Sequence, residues 1–587
     1  MTAPGRSENF AEGHAGLLLS VAVCTSLLIV SILMGGFGAI GPDGDDVMRL
    51  VQVRDLLEGR SWFDLTQPRL GPEGGTLMHW SRLVDLPIAA IAALFTPLLG
   101  QDAALGLAFT FWPIISVLVV TAALVHGARA VGGRGVVLFT CLLGFAVLFR
   151  HFRFLPGAID HHNIQLGLVL LAAAALLARG RPAAPMALSG ACLALAATVG
   201  VEVYLFVAAI AAFVAVDWAI SGASARQGAV VFGASFAAVL AATFLVTVPP
   251  LDYWTARCDA HSSVTLLAGL GGGAAFALAA QITSDKSFAI RLGALANVGA
   301  ICVAFVLVAG PQCFANPLAA LSPEARDLWL SRVDEARPTL ALMNAHPDEV
   351  LFRLGSQIAG LGAALWMVWQ GRDRRAGLLF VLLLTVSLLF ALYQTRFYVF
   401  GQLFAVLPLA VLIARIHAGE AGSSWPRLAY LVVLLAALPF TWSIAGGLLA
   451  PSGAGPTAPL AASCDPAATH AELNTLPTGR ILASASDAPG LLLETPHSTL
   501  HGHYHRNAAG IDAALAIFTA PPDDAHARLR AVRVDYLLVC PADPDLQFFA
   551  GYAPDGLVAK ILSGEVPAWL QPAGQGGATA IYRVRPD

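Results

Sequence analysis

The sequence predicts a polytopic α-helical membrane protein with a C-terminal soluble α/β domain, on three observations. Apolar residues make up 57% of the 587-residue chain and charged residues only 12%, far from the balance of a soluble domain. Apolar runs, most of them long enough to cross about 30 Å of hydrocarbon, recur from residue 15 to residue 449. From Cys464 to Asp587 the chain turns polar, with short alternating runs of strand type.

The first run, 15–40, follows a short polar N-terminus and exceeds the roughly 7–15 apolar residues of a cleavable signal, so it reads as a retained span. Further runs at 104–126, 135–150, 164–178, 184–199, 203–220, 228–248, 263–281, 288–310, 351–369, 376–392, 397–416 and 427–449 bring the expected spans to thirteen. Residues 86–99 are apolar but short and Pro-flanked, and are expected not to cross. On that assignment the loops holding Arg129 and Arg134, Arg179 and Arg181, Arg226, Lys286 and Arg291, and Arg372, Arg374 and Arg375 share one side, as cytoplasmic loops should. Residues 41–103, 151–163, 249–262, 311–350 and the tail then lie on the outer face, with the bacterial inner membrane and its periplasmic side as the expected setting.

Residues 1–450 are thus expected to form a transmembrane domain. The Pro/Gly/Ser-rich PSGAGPTAP opens a second, extracytoplasmic domain over 451–587. Within it RILAS and VDYLLVC read as strands, and 508–518 and 523–532 as helices. Cys258, Cys313, Cys464 and Cys540 fall in outer segments; they form either two disulfides, 258 with 313 and 464 with 540, or four free thiols. A net charge of −4 with no basic concentration excludes nucleic acid as a partner.

Five outer-face segments carry candidate chemistry. In GPDGDDVMRLVQVRDLLEG, Asp43, Asp45 and Asp46 precede an amphipathic helix; clustered carboxylates call for a cation, although one Asp is also a favourable helix cap. FRFLPGAIDHHNIQLG places Asp160, His161 and His162 between two spans, three potential ligands suited to Mn or, for the carboxylate, Mg. LSPEARDLWLSRVDEARPTL reads as a short helix opened by Ser322 and Pro323 and ended by Asp334 and Glu335. YQTRFYVFG puts Arg396 at the start of an apolar helix, either snorkelling or clamping a lipid-linked phosphate. In the tail, TPHSTLHGHYHRN spaces His497, His501, His503 and His505 as a strand would present a metal face, or as a His-rich loop.

In order, these segments resemble the catalytic subunit of oligosaccharyltransferases and, more broadly, the GT-C superfamily of multi-span glycosyltransferases. The resemblance covers most of residues 15–450. It matches Asp45 to the family's first-loop catalytic aspartate, and Asp160 with His161 or His162 to its metal-binding pair. RVDEARP places Glu335 in the position of the family's large-loop glutamate, and Arg396 followed by Phe397 in that of the residues holding the donor phosphate. The resemblance implies a divalent metal, Mg or Mn, held by Asp45, Asp160, His161 or His162 and Glu335. It implies a polyprenyl-phosphate or -diphosphate sugar donor and transfer with inversion. The family's Trp-Trp-Asp acceptor motif is missing and the tail has a single tryptophan, Trp569, so a lipid or polysaccharide acceptor stands beside a protein one. Two rivals remain. A secondary transporter is favoured by Glu202 between two short spans, and an envelope polysaccharide assembly subunit would leave the acids structural.

Overall fold

Apolar side chains occur on every face of the helix Tyr398–His417, and a helix without a polar face must be enclosed by other helices or lipid. In the computed structural model 94% of that span is buried, making it the central helix, whereas Phe288–Ala309 has none of its span buried and is peripheral. The structure describes residues 6–34, 39–41, 43–315, 318, 321–419, 427–449 and 464–585. The linker 451–459, and residues 35–38 of the first expected span, lie outside them.

The chain divides into two compact units. The first comprises Met1–Gly41, Trp80–Ala315 and Glu335–Pro451. The expected apolar runs fall largely on helix in it, the first of them over its residues 15–34: Arg6–Met34, Gln101–Val131, Arg134–Arg150, His162–Ala175, Ala183–Val199, Tyr204–Ser221, Arg226–Thr247, Ser263–Thr283, Phe288–Ala309, Pro347–Gln370, Arg374–Tyr393 and Tyr398–His417. The run 427–449 is two helices, Arg427–Ala436 and Pro439–Gly447, bent by 89° at Pro439. Among the described residues eight helices, or nine with that bent pair, are long and apolar enough to cross a membrane by length and composition. The helices over 162–175 and 183–199 are shorter apolar ones. Arg82–Leu99 is among the eight, correcting the expectation that it is too short. The polar first turn, capped by Ser81 and closed by a buried Arg82–Asp85 ion pair at 2.9 Å, extends the apolar 86–99 to 18 residues.

Small residues let the central helix be approached closely. A Cβ at Gly401 would lie 1.7 Å from Gln357 Oε1, and one at Gly360 would lie 2.4 Å from Ala405 Cβ. Gln402 fixes the same helix from within the bundle: its Oε1 lies 2.7 Å from His151 Nε2, and its Nε2 donates to the Phe352 carbonyl.

The second unit joins Pro42–His79 and Asn316–Asp334 to Ser452–Asp587, so it takes in parts of two expected outer loops. Strands β1 (Thr66–Gln67) and β2 (Thr76–Leu77) form a hairpin. Strands β3 (Arg480–Leu482), β4 (Ser498–Thr499), β5 (Tyr536–Val539), β6 (Leu570–Gly576) and β7 (Thr579–Val584) form a sheet in the order β4-β3-β5-β7-β6, with β4, β3 and β5 parallel. Period-two alternation sends Leu482, Leu537 and Val539 into one core with Ile511 and Phe518, and Ile481, Tyr536 and Leu538 into another with Leu473. The expected helices appear as Ala508–Thr519 and Pro522–Ala531. The expected first-loop helix is Gly44–Leu57, and Ser322 caps a helix that stops at Leu328, so Asp334–Ala336 is a separate turn and not its end.

Disulfides join Cys258 to Cys313 in the first unit and Cys464 to Cys540 in the second.

Candidate active site

The loop between the helices Arg134–Arg150 and His162–Ala175 is held by its backbone. Gly157 adopts φ +93°, and a Cβ there would stand 2.4 Å from the Ala39 carbonyl oxygen, so the position requires glycine. Its own carbonyl accepts from Gly41 N–H at 2.8 Å. Asn163 donates to the Ala158 carbonyl at 2.9 Å and its Oδ1 accepts from Ser116, pinning the following turn.

That turn delivers Asp160, His161 and His162 into the bundle, with Asp160 and His161 buried. His161 Nδ1 lies 2.5 Å from Asp160 Oδ1, and its Nε2 lies 3.4 Å from Glu202 Oε1. Gln165 donates to the other Glu202 oxygen at 3.2 Å. A Cβ at Gly200 would fall 2.4 Å from that oxygen, so a glycine makes room for the carboxylate. His162 Nε2 is 3.4 Å from Asp160 Oδ2 and 3.8 Å from Glu335 Oε2, and Arg153 forms an ion pair with Glu335.

One atom each of Asp160, His161 and His162 lies within 4.8 Å of the others, a spacing open to one metal ion. Arg396 lines a cavity with Arg153, His162, Glu202 and Phe397. Its Nε is buried with no hydrogen-bond partner among the described residues. Burial pushes the Glu335 carboxyl up, but the charges of Arg153, then His162 and Arg396, outweigh it and hold it at about 2. Burial likewise opposes charge on His161, yet Asp160 and Glu202 raise it to about 10.

The structure thus brings together Asp160, His161, His162, Glu335 and Arg396 from the sequence reading. It adds Arg153, visible in the motif FRFLPGAIDHH but not singled out, and Glu202, first read as a transporter feature. Asp45 belongs to the second unit, where Asp43 caps the helix by accepting from Asp45 N–H at 3.1 Å.

The tail histidines separate. His497 bonds the backbone of Leu473 and Gly479, and His505 packs against His79 in a tilted contact with ring centroids 4.6 Å apart. His503 Nδ1 accepts from Trp329 Nε1 at 2.9 Å, while its Nε2 lies 3.2 Å from Ser486 Oγ. Only Ser498–Thr499 of that stretch is strand. No histidine cluster there is spaced for a metal among the described residues.

The chain is a bundle of apolar helices with carboxylates, imidazoles and arginines gathered where helices meet loops, and its fold is similar to that of solved membrane enzymes. The particular neighbours are oligosaccharyltransferases. Archaeal oligosaccharyltransferase AglB from Archaeoglobus fulgidus, in complex with an inhibitory peptide and a dolichol-phosphate, matches with a TM-score of 0.67 and 14% identity, over 98% of this chain and 74% of that one. The Archaeoglobus fulgidus enzyme tethered to an acceptor peptide containing the NVT sequon matches at 0.64, with 17% identity over 94% and 72%. Its complex with Zn and sulfate matches at 0.59, with 16% identity over 93% and 70%. No protein-family model matches the chain, and no curated protein resembles it in sequence.

Proposed function

We propose that this chain is a membrane glycosyltransferase that moves a sugar or oligosaccharide from a polyprenyl-phosphate or -diphosphate donor to an acceptor on the outer face of the bacterial inner membrane. The observation that carries the reading is Arg396, a guanidinium with a buried, unpartnered Nε in a cavity shared with Arg153 and His162. A buried unsatisfied donor costs about 1–3 kcal/mol, and a lipid-linked phosphate removes that cost. The neighbour solved with dolichol-phosphate supports a donor of this class.

Asp160, His161 and His162 fit a divalent cation because one ligand atom of each lies within 4.8 Å of the others, and Glu335 stands 3.8 Å from His162 at the edge of that group. Mg or Mn is the expected ion, and the neighbour holding Zn and sulfate supports a cation in this fold. When bound, the ion supplies positive charge to the leaving phosphate. Arg396 supplies more from the protein itself, and both act as charge develops in the transition state. Glu335, held low by Arg153, is too weak a base to take an acceptor's proton at neutral pH and instead orients. The base role is assigned to Asp45, on the family resemblance of its loop. Direct displacement inverts the anomeric carbon. A lipid or polysaccharide acceptor suits a tail without Trp-Trp-Asp as well as a protein does.

The transporter reading loses its one support, since Glu202 bonds His161 and Gln165 within the cluster. Binding of a radiolabelled polyprenyl phosphate to purified protein tests the proposal. Wild type should retain it and Arg396→Ala should lose it; equal retention by both would remove Arg396 from the donor site.

A further inference from the structure

At the opposite end of the helix Arg134–Arg150 from the His151–Asp160 loop lies a second cavity, of about 570 Å³, lined by His126, Arg129, Gly132, Gly133, Ala178 and Arg179. Seventeen helical residues separate it from that loop, about 25 Å at 1.5 Å per residue and close to the thickness of the hydrocarbon core. The walls come from two helix ends that pack together: a Cβ at Gly127 would sit 3.3 Å from Leu177 Cδ1 and 3.6 Å from Ala174 Cβ. A Cβ at Gly132 would lie 2.4 Å from Val136 Cγ2, so glycine at the rim permits the tight turn beside the opening.

The charges here are unlike those of nearby loops. Arg181 and Arg375 both pair with Asp217, Arg415 pairs with Asp373, and Arg226 pairs with Asp285. Arg129 and Arg179 have no ion pair or hydrogen bond among the described residues, and no carboxylate lines the cavity. Two unpaired guanidiniums facing one concave space, with His126 beside them, form a fork for a phosphate group. Basic pockets between membrane helices suit phosphate-bearing head groups.

We propose that this cavity binds a phosphate group at the membrane face opposite the Asp160 cluster, through Arg129 and Arg179. The same chemistry is presented by an anionic phospholipid head group and by a free phosphate compound. Purified full-length protein, stripped of lipid in detergent, is titrated with phosphatidylglycerol, diacylglycerol or inorganic phosphate, using native mass spectrometry for the lipids and thermal shift for phosphate. Wild type should take up phosphatidylglycerol but not diacylglycerol, and Arg129→Gln with Arg179→Gln should weaken uptake about tenfold or more. Ala178→Trp keeps both charges but fills the cavity, and should weaken it too if the Gln pair proves unstable. A response to phosphatidylglycerol alone assigns a lipid head group; an equal response to inorganic phosphate assigns a free phosphate compound. Unchanged binding of both ligands in the Gln pair and in Ala178→Trp would overturn the proposal.

Discussion

Glu202 Oε1 lies 3.4 Å from His161 Nε2, although 41 residues separate them in the chain. The contact places a carboxylate from the turn before the helix Tyr204–Ser221 behind the histidine whose other nitrogen faces Asp160. Such outer partners fix a ring's orientation and tautomer. Glu202→Gln should therefore keep expression and thermal stability while lowering turnover about 10–100-fold. Single-turnover assays on membranes matched for protein check this; full activity would leave Glu202 a bystander.

Arg153 is expected to act through Glu335. Arg153→Met removes the guanidinium that holds the carboxyl low, and should cost activity about as much as Glu335→Gln. The double variant should lose little more than either single, because the two form one unit. Additive losses would mean that the residues act separately.

The second unit carries a pH-dependent cost. Burial, then the like charges of Asp543 and Asp545, raise the Asp487 carboxyl from its ordinary 3.8 to about 7. A raised acid binds its proton in the folded chain before the unfolded one does, so stability falls as pH climbs from 3.8 towards 7, and the cost is complete above that. Asp487→Asn should match wild type near pH 4 and exceed it at pH 8 by on the order of 4 kcal/mol. Thermal unfolding of the full chain at the two pH values reads the difference; a wild type as stable as the variant at pH 8 would refute it.

The disulfides close loops of 55 and 76 residues. In the chain-entropy model each contributes about 4 kcal/mol. Cys464→Ser with Cys540→Ser should lower the unfolding temperature of the second unit, and a reducing agent should do the same to wild type and add nothing to the variant. Unfolding temperatures insensitive to reductant would contradict it.

Much of this was legible in the sequence because lipid enforces simple rules. Long apolar runs located most of the membrane-unit helices, and strand periodicity located β3 and β5. Arg82–Leu99 was misjudged because its first turn is polar: the buried Arg82–Asp85 pair looks, in sequence, like a helix boundary. Asp160, His161, His162 and Arg396, singled out at span edges, and Glu335, singled out by the family resemblance, lie together in the structure. Glu202 and Arg153 were not assigned to the site, since their roles depend on partners 41 and 182 residues away. Of the two readings of the tail histidines, the His-rich loop holds over the strand face: the chain leaves the sheet at Leu500, and His497, His503 and His505 find separate partners.

Sugar transfer itself tests the central claim most directly. Membranes bearing wild type, Arg396→Ala or Asp160→Ala are given a radiolabelled polyprenyl-linked sugar pool, with and without EDTA, and label is counted in lipid, polysaccharide and protein fractions. The account predicts label in one fraction from wild type alone, falling at least about a hundredfold with either substitution and with chelation. Equal labelling in all samples would contradict it.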